Sequence, residues 1–236
     1  MLLLTTVYLS ILVQVFTGLL DTYVLFAVKS ENVLYKALLL LELIVQVIEG
    51  TFYVWMASLF SSIKNVTPKR YFDWVLSTPI MLFTLCIYLD FLKKEKEEID
   101  EKERMQNMKD EKKDETIMNI IVNKFNENKN VLVPVFILNW LMLLLGYLGE
   151  TGVINNVYAV VLGFIPFVAY YTIIYFKYAI YTETGKVLFW WFAVIWGLYG
   201  KAALMPYYWK NVSYNILDIF SKNFFGVYLA YLVWSK

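Results

Sequence analysis

Apolar positions fall in seven long runs, at approximately 3–28, 33–60, 70–92, 131–149, 153–178, 185–209 and 212–235. Each is close to or above the ~20 residues that a helix needs to cross about 30 Å of hydrocarbon. Short polar connections separate most of them, so successive helices are expected to pack as antiparallel neighbours. The exception is 93–130, which opens with "KKEKEEIDEKERMQNMKDEKKDE". Its mixed charges, with pairs such as Glu98 and Lys102 four residues apart, read as a solvated helical extension. Directly after it, "TIMNIIVNKF" places Ile117, Ile120, Ile121 and Phe125 on one helical face. This predicts an amphipathic helix over 116–125 lying along the membrane surface. The expected fold is a single all-α, seven-transmembrane-helix bundle over 1–236, without a soluble domain or an internal repeat.

Composition agrees with that pattern, since 60% of the 236 residues are apolar and 19% aromatic, beyond what a soluble domain carries. The first run lacks a basic leader and a small-residue cleavage site, so it reads as a retained helix. Fifteen Lys and Arg residues, ten of them between Lys93 and Lys129, fall at one end of the bundle, against five at the other. Basic residues concentrate on the cytoplasmic side, so the N-terminus is expected outside. A net charge of +1 gives no reason to expect a nucleic-acid partner; membrane lipid is the expected surrounding. With no histidine and a single cysteine, Cys86, histidine-based metal sites, histidine-dependent triads and an intrachain disulfide are excluded. Nor is there a nucleotide-binding glycine motif, and no enzymatic activity is expected.

Charge inside the apolar runs changes the picture. Asp21, Glu42, Glu49, Asp73, Lys201, Asp218 and Lys222 lie within them, with Arg70 and Asp90 near helix ends. Each costs at least about 2.5–3.5 kcal/mol in hydrocarbon, which marks intramembrane ionisable groups as functional candidates. Asp90, and Asp21 with it, are read as reaching the interface. Asp218 and Lys222 cannot reach it, and at four residues apart they would share one α-helical face. One reading is a structural ion pair, although apolar residues often replace such pairs without loss. The other is a lysine held for its amine, since a buried lysine is readily deprotonated and competent for Schiff-base chemistry with an aldehyde. In "RYFDWVLSTPIMLFTL", Arg70, Asp73, Ser77 and Thr84 form one polar stripe. Packed beside the last helix, Asp73 and Asp218 would flank the Lys222 nitrogen and keep it charged.

These residues carry a family resemblance. Arg70, Tyr71, Asp73, Trp74, Ser77 and Pro79 match the third-helix pattern of microbial rhodopsins, and Asp218 and Lys222 match the last-helix Asp-x-x-x-Lys. "YNILDIFSKNFFG" and "GYLGE" (146–150) are similar to proteorhodopsin segments. The resemblance covers all seven runs. It implies all-trans retinal held covalently on Lys222 as a protonated Schiff base, with Asp73 as primary counterion and proton acceptor, Asp218 as second counterion and Arg70 beside them. It further implies a retinal pocket containing Trp74, Ser77, Thr78, Met81, Met142, Gly146, Trp196 and Tyr199. Two departures stand out: Gly200 replaces the usual proline of the sixth helix, and Lys201 follows it. Gly200 could loosen that helix. Lys201 could line a water cavity or extend toward the interface.

Glu42, Gln46 and Glu49 in "LELIVQVIEG" repeat at offsets 0, 4 and 7. That stripe reads either as an interhelical hydrogen-bond cluster or, packed against Ser10, Gln14 and Asn215, as a wettable cation route. The set resembles the first group of viral rhodopsins, which are light-gated cation channels. That resemblance makes Ser10, Glu49 and Asn215 a central constriction and Glu42 an inner one, opened by retinal isomerisation and Schiff-base proton transfer. Monovalent cations or protons would pass. The alternatives are an outward proton pump and a photosensor signalling through 93–130. Against the pump, the residue eleven after Asp73 is Thr84, where pumps of the family carry a carboxylic acid. The resemblance also allows a homo-oligomer and, through its viral members, a host-cell membrane.

Overall fold

The computed structural model describes residues 2–29, 32–60, 65–102 and 116–235. The centre of the charged segment, 103–115, lies outside them, so its expected roles do too. The described residues form α1 (Leu2–Ala27), α2 (Val33–Ser58), α3 (Thr67–Lys102), α4 (Ile117–Glu150), α5 (Asn156–Lys177) and α6 (Glu183–Ala203). A seventh rod follows, built from α7 (Tyr207–Asp218), a π-helical turn (Ile219–Asn223) and α8 (Phe224–Ser235). No strand occurs among them.

Local chemistry sets several boundaries. Asn32, Thr116, Asn155 and Thr182 each accept a backbone N–H with their side chains at the starts of α2, α4, α5 and α6. These are the usual caps for the unpaired first turn. After α4 the chain turns through Gly152 at φ +74°, a left-handed conformation that glycine adopts without strain. Consecutive helices pack against one another, and the seventh rod closes the ring onto α1 and α2. Leu12, Phe16 and Leu19 of α1 point outward, as lipid-facing side chains do.

Six helices are long and apolar enough to cross a membrane. α6 is the seventh crossing element: its 21 residues span about 32 Å at 1.5 Å each, and it packs between α5 and α7. Its apolar side chains are interspersed with Gly185, Gly197 and Gly200 and with charged Glu183, Lys186 and Lys201, which lowers its mean hydropathy. The protein is therefore a multi-pass integral membrane protein.

Residues 116–125 differ from the expected surface helix. They lead without a break into the 34-residue α4. Ile120 is part of the buried core, Ile117 and Ile121 pack against it, and Phe125 lies 6.4 Å from the ring of Phe83. Nothing between Phe125 and Val131 breaks a helix. Asn128, in that interval, accepts a 2.7 Å hydrogen bond from Tyr178 Oη and lies 3.5 Å from Asp90. The apolar face that periodicity aimed at lipid is thus partly covered by the bundle itself.

Candidate functional site

Arg70, Asp73, Ser77 and Thr84 of α3 are all buried, as their shared stripe implies. Lys222, in the π-helical turn, is 2% exposed. Its Nζ donates to Asp73 Oδ2 at 2.6 Å and lies 3.6 Å from Glu49 Oε1. Asp218 makes no ion pair with Lys222. One of its oxygens accepts from Tyr53 Oη at 2.7 Å and from Arg70 Nη1 at 3.3 Å, and the other from Tyr199 Oη at 2.6 Å. The four-residue spacing suggested otherwise because it assumed an α-helix. The π-helical turn between the two residues widens the repeat and turns Lys222 away from Asp218, toward α2 and α3.

Arg70 is fully buried and fully engaged. Besides Asp218 it donates to Asn211 and Tyr53 at 3.1 and 3.3 Å, and to Asn215. Its guanidinium lies 5.6–5.8 Å from the rings of Phe52, Tyr53 and Tyr214, within cation–π range. Burying such a cation is costly unless it is paired, and here every direction is answered.

On the other side of Lys222 lies a cavity of about 120 Å³. Of the expected pocket residues, Trp74, Thr78, Met81, Met142, Gly146, Trp196 and Tyr199 line it; Ser77 does not, its hydroxyl donating instead to the Asp73 carbonyl at 3.0 Å. Trp74 meets the Tyr199 and Tyr214 rings edge-on at 5.5 and 5.1 Å. A Cβ on Gly146 would lie 2.6 Å from Tyr71 Oη, and one on Gly200 2.5 Å from Phe164. Each glycine lets an aromatic wall lie against helix backbone, which is what Gly200 does in place of a proline. Lys201 is exposed and points away from this cavity. A long, apolar, conjugated aldehyde fits this donor set: an amine at the blind end, rings along the walls, and an Asp73 oxygen, Oδ1, with no partner of its own.

Ser10 and Asn215 do meet: Ser10 Oγ donates to the Asn215 carbonyl at 3.2 Å, and Asn215 Nδ2 donates to Thr6 Oγ1 at 2.8 Å. Glu49 Oε1 lies 3.6 Å from Lys222 Nζ. Glu42 is fully buried beside Asp21 and Thr84. Asp21, expected to reach an interface, is enclosed by the bundle. It is fully buried, with Oδ2 2.7 Å from where a Cβ on Gly226 would stand. Spacing alone missed Tyr53, although it extends the stripe Glu42, Gln46, Glu49 by one more turn, and Tyr214, one turn before Asp218.

Fold and site together define a seven-helix membrane protein organised around a buried lysine that faces carboxylates on one side and an aromatic cavity on the other. A family model described as bacteriorhodopsin-like protein matches residues 3–236, and the chain belongs to that family, the microbial rhodopsins, which bind retinal through a Schiff base. The viral rhodopsin OLPVRII is similar in structure, with TM-score 0.78, 25% identity, and coverage of 98% of this chain and 97% of the other. The blue light-absorbing proteorhodopsin from Med12 superposes with TM-score 0.70 at 15% identity, covering 99% and 97%. Xanthorhodopsin, described as a light-driven ion pump with dual chromophore, gives 0.69 at 17% identity, covering 99% and 92%. No curated protein is significantly similar in sequence.

Proposed function

We propose that the protein is a light-gated cation channel carrying all-trans retinal on Lys222. Bound retinal supplies light absorption and a change of shape on isomerisation. The chain's own residues do the rest. Trp74, Trp196 and Tyr199 hold the ligand between rings, Asp73 Oδ2 takes the proton from the Lys222 nitrogen, and Arg70 fixes Asp218 in the cluster toward the N-terminal end of α3. The basic end of the bundle faces the cytoplasm and the N-terminus lies outside.

One observation carries the channel reading. Gln14, Asp21, Glu42, Gln46, Glu49 and Asn223, from α1, α2 and the seventh rod, are all buried, and each has a side-chain oxygen or nitrogen without a protein hydrogen bond, Glu49 being ion-paired with Lys222. Buried polar groups are nearly always satisfied, by water where protein does not reach. A file of such groups through the bundle is a route that water and cations can wet, and its acids favour cations. Thr84 weakens the pump alternative, because a hydroxyl is a poor proton donor at neutral pH.

An outward proton pump is the second reading. Asp21 and Glu42, buried toward the basic end, would supply the acid that Thr84 does not. Photocurrent recorded against voltage in two ionic solutions separates the two. A channel gives a reversal potential that follows the cation gradient; a current of constant sign that ignores it identifies the pump.

A further inference from the structure

We propose that a layer of tyrosines, Tyr35 of α2, Tyr88 of α3 and Tyr228 of α8, closes the polar file at the basic end of the bundle, and that the hydrogen bond between Tyr88 and Tyr228 is the latch that parts in light. The inference rests on the channel reading and supplies a barrier beyond Glu42. Its test tells the two apart.

Past Asp21, Glu42, Thr84 and Asn223 toward the basic end, the buried surface changes character. α2 presents Leu38 and Leu39, and α8 Leu229 and Val233, all at 0–1% exposure. Among the described buried residues of α1, α2, α3 and the seventh rod beyond that point, the side-chain oxygens are those of Tyr35, Tyr88 and Asp90. Asp90 faces elsewhere, 2.8 Å from Lys94 Nζ and 3.5 Å from the Asn128 amide of α4. Tyr88 Oη shares a 2.8 Å hydrogen bond with Tyr228 Oη, and the Tyr88 ring lies 6.2 Å from that of Tyr35. Phe225 completes the layer, stacked on Tyr228 and edge-on to Tyr88, each at 6.2 Å. Apolar constrictions gate by shedding water. The hydroxyl pair gives this one a second satisfied state: closed, each oxygen answers the other, and open, water takes the partner's place, so neither is left buried and unpaired. The layer also touches the cavity wall. Phe225 meets Phe192 of α6 at 5.1 Å, and Phe192 lies 6.3 Å from Trp196, which lines the cavity. A shift of that wall is passed to the layer through two rings.

Tyr88→Phe and Tyr228→Phe each remove one oxygen and keep the ring, and neither residue lines the cavity, so the visible band should stay in place. Each variant should raise peak photocurrent per pigment molecule by about 2–10-fold, the weight of one hydrogen bond. The double variant should match the singles, because the same bond is lost only once. In purified pigment each should hasten recovery of the visible band after a flash, since water reaches Lys222 sooner from the basic end. Unchanged current and unchanged recovery in the single variants overturn the proposal, and so does a double variant whose effect is the product of the two singles. Should Tyr88→Phe form no pigment, Tyr228→Phe, at a half-buried position, reports the same bond. If the unaltered protein passes no current that follows the cation gradient, the channel reading falls, and band recovery in the variants still decides the layer.

Discussion

Lys222 is buried in a place where an unmodified ammonium has two acids within 4 Å and an apolar cavity on its far side, so its substitution separates packing from chemistry. Lys222→Ala should give no visible absorption after all-trans retinal is added; a coloured Lys222→Ala protein would move the attachment elsewhere. Asp73 Oδ2 is the nearest base to the amine. Asp73→Asn should therefore slow light-driven loss of the Lys222 proton by about 10²–10⁴-fold, the usual weight of a positioned base, measured as flash-induced decay of the visible band. Asp21 belongs to the same scale but to another role. It lies at 0% exposure with no donor to either oxygen and is not among the residues lining the cavity. Asp21→Asn should leave the absorption band in place and reduce photocurrent severalfold; equal current per pigment molecule would put Asp21 outside the path.

Helices, and the places where they approach closely, decide how much of this could be read from the chain. Run length and apolar content marked all seven crossing elements, and the third-helix stripe put Arg70, Asp73, Ser77 and Thr84 on one buried side, because straight α-helices keep a fixed period. Asp218 and Lys222 were read as facing one another for the same reason. No direct ion pair forms between them, and the π-helical turn that separates them, Ile219–Asn223, leaves no signature in residue type. The start of α4 was misjudged since periodicity shows that a face is apolar without showing whether lipid or protein covers it. Asp21 was read as reaching an interface because composition gives no depth, and Gly226, which makes room for it, lies about two hundred residues away. Close approach at element scale has its own test. A Cβ on Gly149 would fall 2.5 Å from the Cβ of Ala159, where α4 meets α5, whereas one on Gly18 meets nothing within 4 Å. Small residues let membrane helices approach. Gly149→Ala should cost about 1–3 kcal/mol as overpacking does, seen as a lower temperature of colour loss. Gly18→Ala should be neutral or gain up to about 1 kcal/mol.

Across the whole molecule, charge is divided between the two ends of the bundle with the buried polar groups of α1, α2 and the seventh rod between them, and the direction of the proposed transport depends on which end faces the cytoplasm. By sequence, fifteen basic residues belong to the segments on the side of the α3–α4 and α5–α6 connections and five to the other side. Such an excess is as a rule retained in the cytoplasm during insertion, so the proposed orientation has the α4–α5 turn outside. The single native thiol, Cys86, is fully buried, so cysteines introduced at either end report without background. Val153, in the α4–α5 turn, is exposed and Lys186, in the first turn of α6, is half-buried; they stand at opposite ends. In intact cells a membrane-impermeant maleimide should label Val153→Cys and leave Lys186→Cys unlabelled until the membrane is opened; the reverse pattern would invert the bundle. Inversion would put Asp21 and Glu42 at the outer mouth and Arg70 with Asp218 at the inner one. The file could still conduct, because passive conduction has no preferred sense. The pump reading could not survive unchanged, since the acid buried beside Thr84 would then draw protons from outside, so topology and photocurrent together discriminate more than either does alone.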